Sequence, residues 1–290
     1  MEATYSPVYW PRHRIDLTLG PQHYDLATRA LVVGVLNRTT DSFYDHGAYF
    51  SLDRFFERAD ELVRQGADVL DVGGVKAGPG PEVSAAEELE RVVPVIASLH
   101  DRFDVPLSVD TWRASVAADS FKAGAVLGND ISGFGDPDYL PAASSAGASV
   151  VATHIRLAPR VRDPEPEYDD VSATVCEFLE SRVQAAFRAG IPPERVMVDA
   201  GLDLGKTPAQ SLELLRATDR LSALGHPVLL SASNKTFLGQ VLDLDIDHRR
   251  EASLAAVAIG IAKGARVVRV HDVDGTRRVR DALAAILQAA

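Results

Sequence analysis

The residues best suited to chemistry in this chain stand where apolar runs stop. The runs LVVGVLN, DVLDVGG, PLSVDT, VLGND, VVATH, VMVDAG, PVLLSASNK and VVRVHD deliver Asn37, Asp71, Asp110, Asn129, His154, Asp199, Lys235 and the pair Arg269 and His271 at their carboxyl ends. Asp110, Asn129 and Asp199 offer acceptors plus one amide, which suits a flat heterocycle bearing amino and ring N–H groups, a guanidine-like edge. Lys235, Arg269 and His271 bring positive or donor character, and an arginine fork reads phosphate oxygens well. One side of the set thus fits an aminated ring and the other an anion. A single Asp at a strand end is as often a helix cap or a salt-bridge partner. The joint pattern carries the inference.

Such residues need a scaffold that aims them at one place. A continuous apolar run marks a strand buried on both faces, as in a parallel sheet. A charge at the end of that run is expensive unless solvated or paired, so its recurrence at the same end implies one shared cavity. Helical patterns close on Gly66, Gly124, Gly147, Gly190, Gly225 and Gly264, and a strand follows each almost at once. Glycine just past a helix takes the left-handed conformation that ends it. Counting strands with their helices gives eight βα units between Ala30 and Ala289, close to the ~250 residues of a (β/α)8 barrel. A doubly wound sheet is the structural alternative, but it gathers ligand groups at one switch point. Polar ends on all eight strands favour the α/β TIM barrel, as a single domain over residues 1–290.

Two regions fall outside the repeat. Residues 5–24, with proline, short apolar stretches and the turn-like LGPQ, read as a short N-terminal hairpin plugging the barrel bottom. Residues 156–170, RLAPRVRDPEPEYDD, form a long loop after the fifth strand. Loops of that length at the catalytic end of a barrel are often functional, a solvated excursion being the alternative.

Bulk properties narrow the function class. A chain of 290 residues with 46% hydrophobic content fits one large soluble domain. Its net charge of -11 argues against broad nucleic-acid or anionic-membrane surfaces, though a local basic pocket remains open. The single cysteine, Cys176, excludes an intrachain disulfide and suits a reducing cytoplasm. Its place in VSATVCEFLESRV reads as a small buried residue. The N-terminus has no apolar signal core and no run reaches transmembrane length, so a cytoplasmic location is expected. Metal-ligand spacings such as HExxH are absent. A magnesium ion held mainly by substrate phosphates, with Asn37 or a carboxylate assisting, fits that ion's habits. Walker A and dinucleotide fingerprints are absent too, and GFGDPD is a turn.

The segments VGVLNRTTDSFYDHG, GADVLDVGG, PLSVDTWR, GNDISG, PEYDDV, VDAGLDLGKT, SNKTFLG and RVHDV occur in order from about Leu31 to the C-terminus. On these the chain resembles the dihydropteroate synthases, pterin-binding (β/α)8 enzymes of folate synthesis. The resemblance implies a transferase that joins a dihydropterin methyl diphosphate to p-aminobenzoate or a related arylamine, releasing pyrophosphate. It implies that Asp110, Asn129 and Asp199 hold the pterin edge and that Lys235 contacts the ring's carbonyl side. Arg269 would lie over the ring and, with His271 and Asn37, line the diphosphate site, so that Lys235, Arg269 and His271 carry the chemistry. Asn37 would also assist Mg2+. Phe43, Leu204 and Thr236 would face the arylamine. A homodimer through the late helices is implied as well, and their alanine- and leucine-rich sequences suit it.

Departures from the family pattern concentrate on one side. Where the family has GGESTRPG, the chain has Gly73, Gly74, Val75, Lys76, Ala77, Gly78, Pro79 and Gly80, without the glutamate, serine, threonine and arginine. Lys76 cannot offer arginine's bidentate geometry. Leu204 replaces the aromatic expected beside the arylamine ring, Asp203 adds a carboxylate, and Asn234 replaces an arginine. The pterin side is kept while the arylamine side and closing loops are rewritten. Three readings follow: arylamine transfer with an unusual or altered acceptor site, a pterin-binding paralogue that does not catalyse, and a methyltetrahydrofolate-dependent methyltransferase. The last lacks support from SNKTFLG and RVHDV, and no corrinoid-binding segment is present.

Overall fold

Eight of the apolar runs become short strands that close on one another. The structure, a computed structural model, describes residues 15–38, 48–78 and 80–288. Strands β3 (Leu31–Asn37), β4 (Val69–Gly73), β5 (Leu107–Asp110), β6 (Ala125–Asp130), β7 (Ser149–Thr153), β8 (Val196–Asp199), β9 (Val228–Leu230) and β10 (Ala265–Val270) form a closed barrel. Their order is β10-β3-β4-β5-β6-β7-β8-β9 and all their pairings are parallel. The outer ring comprises α1 (Ala48–Arg64), α2 (Ala85–Arg102), α3 (Ala114–Lys122), α4 (Tyr139–Ser145), α5 (Val171–Arg188), α6 (Pro208–Arg216), α7 (Thr218–Ser222), α8 (Thr236–Leu242), α9 (Arg250–Ala262) and α10 (Val273–Gln288). This is the expected (β/α)8 barrel.

The glycine punctuation works as anticipated. All six inter-element glycines have positive φ, from 63° at Gly147 to 115° at Gly124. Gly124 is also sterically required, since a Cβ there would lie 2.5 Å from His100 Cγ. Between His154 and α5 the chain forms no regular helix or strand, in agreement with its proline content.

Side-chain alternation along each strand decides what reaches the barrel interior. The outward rows, including Val32, Leu70, Val109, Val150, Val198, Leu230 and Val268, join the helices in one apolar cluster. The inward rows, including Leu31, Val33, Val69, Leu127, Val151, Met197, Leu229 and Val267, form a second cluster inside the barrel. Continuing each inward row by steps of two reaches Asn37, Asp71, Asp110, Asn129, Thr153, Asp199, Arg269 and His271. One periodicity therefore builds an apolar floor and a polar mouth.

The floor is sealed from below by a hairpin. Strands β1 (Asp16–Leu19) and β2 (Gln22–Asp25) pair antiparallel, and Ile15, Leu17, Leu19 and Leu26 complete the inner cluster. The turn Gly20–Pro21 needs its glycine, which has φ 56° and would place a Cβ 2.8 Å from Val126 Cγ1. The expected hairpin is present at residues 16–25, covering the later half of the segment 5–24 and running one residue past it; residues 5–14 lie outside the described residues. Burying each leucine in this plug contributes roughly 1.5–3 kcal/mol.

Candidate active site

At the mouth, two inward carboxylates share one guanidinium. Arg269, near the end of β10, donates through Nε to Asp71 Oδ2 at 2.5 Å and through a terminal nitrogen to Asp110 Oδ2 at 2.6 Å. Asn129 donates to the same Asp71 oxygen at 3.4 Å. Asp71 is 1% exposed, and its second oxygen has no hydrogen-bond partner among the described residues. Asp71 and the half-buried Asp110 present more acceptor oxygens than Arg269 and Asn129 satisfy, so a ligand edge rich in N–H donors is favoured here.

Asp199 ends β8 beside this trio. One of its oxygens accepts the Gly201 amide at 2.8 Å, and burial raises its pKa against that bond and against Lys235, Lys206 and Arg269. Burial likewise pushes Asp110 up to about 7, with Arg269 pulling it down and Asp71 adding to the rise. Burial opposes the charge on Arg269, but Asp71 and Asp110 outweigh it and raise its pKa. Gly73 lies between Asn37 and Asp110: a Cβ there would stand in ordinary contact with both, 3.4 Å from Asn37 Oδ1 and 3.5 Å from Asp110 Cβ. Asn37 is thereby beside the acidic face, exposed at the end of β3.

Lys235 and His271 complete the mouth. Lys235 was expected on the seventh barrel strand; it lies five residues beyond Leu230, at the N-cap of α8. The intervening turn contains Asn234 at φ 57°, whose amide donates to Ser253 Oγ at 3.0 Å. The Lys235 ammonium makes no hydrogen bond or ion pair among the described residues, and its charge acts on Asp110, Asp199 and His271. His271 is held near Ser233, with Nδ1 3.0 Å from Ser233 Oγ. Burial, then Arg269, Lys235 and Arg58, lower its pKa to about 4. It is a neutral imidazole at pH 7 and adds no fixed positive charge to an anion site. A cavity of about 500 Å³ opens behind it, bordered by Ser233, Arg58 and Arg250.

The arylamine-side residues occupy a different place. Leu204 and Thr236 line a cavity of about 470 Å³, together with Ala77, Gly78, Lys206 and residues of the loop after β7. Asp203, at φ 69°, accepts the Thr236 amide at 2.6 Å and the Phe237 amide at 3.1 Å, so the added carboxylate caps α8. Phe43 lies outside the described residues.

Several groups had no role assigned from sequence. Asp71 shares its strand parity with Val69, which could have marked it as inward. Lys206 is buried, and its ammonium reaches His154 Nδ1 at 2.9 Å, Gly201 O at 2.9 Å and Leu204 O at 3.0 Å. Burial lowers its pKa to about 7, opposed by Asp199. Burial and Lys206 lower His154 to about 3. His154, a strand-end residue by sequence, is therefore a neutral acceptor inside this turn and stands apart from the acidic face. The turn that folds Lys206 inward has no signal in composition or periodicity.

Among the described residues no group of three or more His, Cys, Asp or Glu could hold a metal ion. An exposed amide beside an acidic face remains compatible with a magnesium ion that keeps most of its ligands from water and phosphate.

Comparison with known proteins places this geometry in a family. The pterin-binding enzyme family matches residues 33–271. A protein of Mycobacterium leprae (strain TN) described as inactive dihydropteroate synthase 2 is 43% identical over 266 residues, covering 90% of this chain and 91% of its own length. The dihydropteroate synthase of Bacillus subtilis (strain 168) is 39% identical over 282 residues, covering 95% and 96%. The crystal structure of Yersinia pestis dihydropteroate synthase in a sulfonamide drug complex superposes with a TM-score of 0.89 at 36% identity, covering 95% of this chain and 100% of that one. On the barrel, the arrangement of its mouth and these relatives together, the chain belongs to the dihydropteroate synthase family of pterin-binding enzymes.

Proposed function

We propose that the chain binds a dihydropterin methyl diphosphate and transfers its methylene to an arylamine such as p-aminobenzoate, releasing pyrophosphate. The observation that carries this reading is the face made by Asp71, Asp110, Asn129 and Asp199 around Arg269, where Asp71 keeps an acceptor oxygen with no partner among the described residues. Amino and ring N–H donors of a pterin supply the hydrogen bonds that buried carboxylates require. Lys235, unpaired at the same mouth, approaches the ring's carbonyl side. In the transfer, a bond forms between the amine nitrogen and the methylene carbon as the carbon–oxygen bond to diphosphate breaks, and the amine loses a proton. Arg269 and Lys235 stabilise the charge developing on the leaving group before the reaction begins. Neutral His271 and Asn37 serve the diphosphate as hydrogen-bonding groups. Asn37 would be the single protein donor to a Mg2+ ion, which when bound would neutralise diphosphate charge.

A second reading, pterin capture without transfer, is favoured by a specific feature. Val75 is buried where the family pattern has a glutamate, and Gly78 stands where it has an arginine, with open space around it. The similarity to proteins described as inactive is of the same order as that to synthases. Pyrophosphate release from dihydropterin diphosphate and p-aminobenzoate separates the two. Turnover at the rate of ordinary synthases excludes the second reading, and tight pterin binding without turnover excludes the first.

We further propose a homodimer through the late helices. Val241, Leu242, Ile246, Ile259 and Ile286 are large exposed apolar residues on or near α8, α9 and α10. Sedimentation that finds only monomer at micromolar concentration contradicts it. The lone Cys176 supports a cytoplasmic location, which cell fractionation would check; no described helix is long and apolar enough to cross a membrane.

A further inference from the structure

The cavity of about 470 Å³ beside Leu204 has cations that its own walls leave available. Its carboxylates are already satisfied: Asp163 pairs with Arg156 at 2.8 Å, and Asp203 holds the Thr236 and Phe237 amides. Lys206 is enclosed by His154 and two carbonyls. Arg160 and Arg162, in contrast, have no carboxylate partner among the described residues. Among the described residues the Arg160 guanidinium donates to one group, Pro81 O at 2.5 Å.

The backbone of Arg160 is held for this purpose in an uncommon state. Its φ is 67°, a left-handed conformation that a non-glycine residue adopts at some strain. Its amide donates to Ala77 O at 3.2 Å, so backbone and head tie the loop after β7 to Ala77 and Pro81 respectively. That segment offers no charge of its own to the cavity, whose wall there is Ala77 and Gly78. A strained arginine imported from another loop faces a cavity lined by the apolar Leu157, Val161 and Leu204.

We propose that Arg160 is the specificity-determining residue of this cavity, recognising the negatively charged group of the second substrate. The proposal rests on the transferase reading and deepens it by one residue: it assigns recognition of the carboxylate that p-aminobenzoate carries to Arg160 of the loop after β7, and not to Ala77 or Gly78. Arginine matches a carboxylate through two parallel hydrogen bonds.

The test compares 4-aminobenzoate with the isosteric, uncharged 4-aminobenzamide, by calorimetry on the protein saturated with a dihydropterin. Wild type prefers the carboxylate by about tenfold or more, as a charged hydrogen bond implies. Arg160→Gln keeps a donor for Pro81 O and loses the preference, and Arg160→Ala does the same. Gly78→Arg, placed in open space, restores part of it in the Arg160→Ala background. Pterin affinity stays within twofold throughout. A preference that survives in both Arg160 variants overturns the proposal, as does a wild type that binds both amines equally; a wild type that binds neither amine overturns the transferase reading and the proposal with it. Loss of pterin binding in wild type instead overturns the transferase reading, so the two failures are distinct.

Discussion

On the strand side of the mouth, Asp71, Asp110 and Arg269 lock one another at 2.5 and 2.6 Å inside the barrel. On the loop side, Arg160 and Arg162 face a cavity with no carboxylate partner among the described residues, and segment 74–78 has exchanged charged and hydroxyl groups for Val75, Ala77 and Gly78. On the strand side one cation holds two carboxylates, so removing Arg269 leaves both without their partner. On the loop side Gly78 and Arg162 are exposed and can be replaced singly, although Val75 is buried. A family site can therefore keep its ring-binding face while its acceptor face changes.

The sharpest way to break this comparison is to remove the shared cation. Arg269→Met leaves Asp71 and Asp110 buried without their partner, and unfolding free energy should fall by about 3–5 kcal/mol. Arg162→Ala, on the loop side, should change it by less than about 0.5 kcal/mol. Urea unfolding of both variants checks this, and equal losses would erase the distinction.

A smaller effect tests Lys206, which bridges the two sides. Its folded pKa is lowered to about 7 from an ordinary 10.5. Between those values the unfolded chain binds the extra proton, so stability rises with pH there, by at most about 1.4 kcal/mol per unit. Below about 7 both states are protonated and the slope from this group vanishes. Lys206→Met should flatten the rise in urea midpoint between pH 7 and 9; an unchanged slope would place the lowered pKa elsewhere.

What could be read beforehand divides along the same line. Asp110, Asn129, Asp199 and Arg269 were legible because strand alternation is rigid: a residue's parity and its distance from the glycine-marked turn fix both face and height. The six glycines at helix ends were legible for the same reason, since few other residues tolerate their φ. Lys235 was misplaced by a turn, because SASN contains no apolar periodicity to show that β9 stops at Leu230. Asp203, Lys206 and Arg160 owe their positions to loop hydrogen bonds between segments distant in sequence, and no local pattern encodes those. Of the positive or donor character read for His271, only the donor role fits the structure, because burial beside Arg269, Lys235 and Arg58 keeps it neutral.

Isothermal titration of a dihydropterin into wild type and Asp199→Asn tests the ring-binding face most directly. Asp199 is a buried acceptor whose loss leaves the Arg269 pairing intact, so the variant should fold and bind about 10- to 100-fold more weakly. Equal affinity in the two proteins, or no dihydropterin binding by wild type, would contradict the assignment of Asp110, Asn129 and Asp199 as a pterin edge.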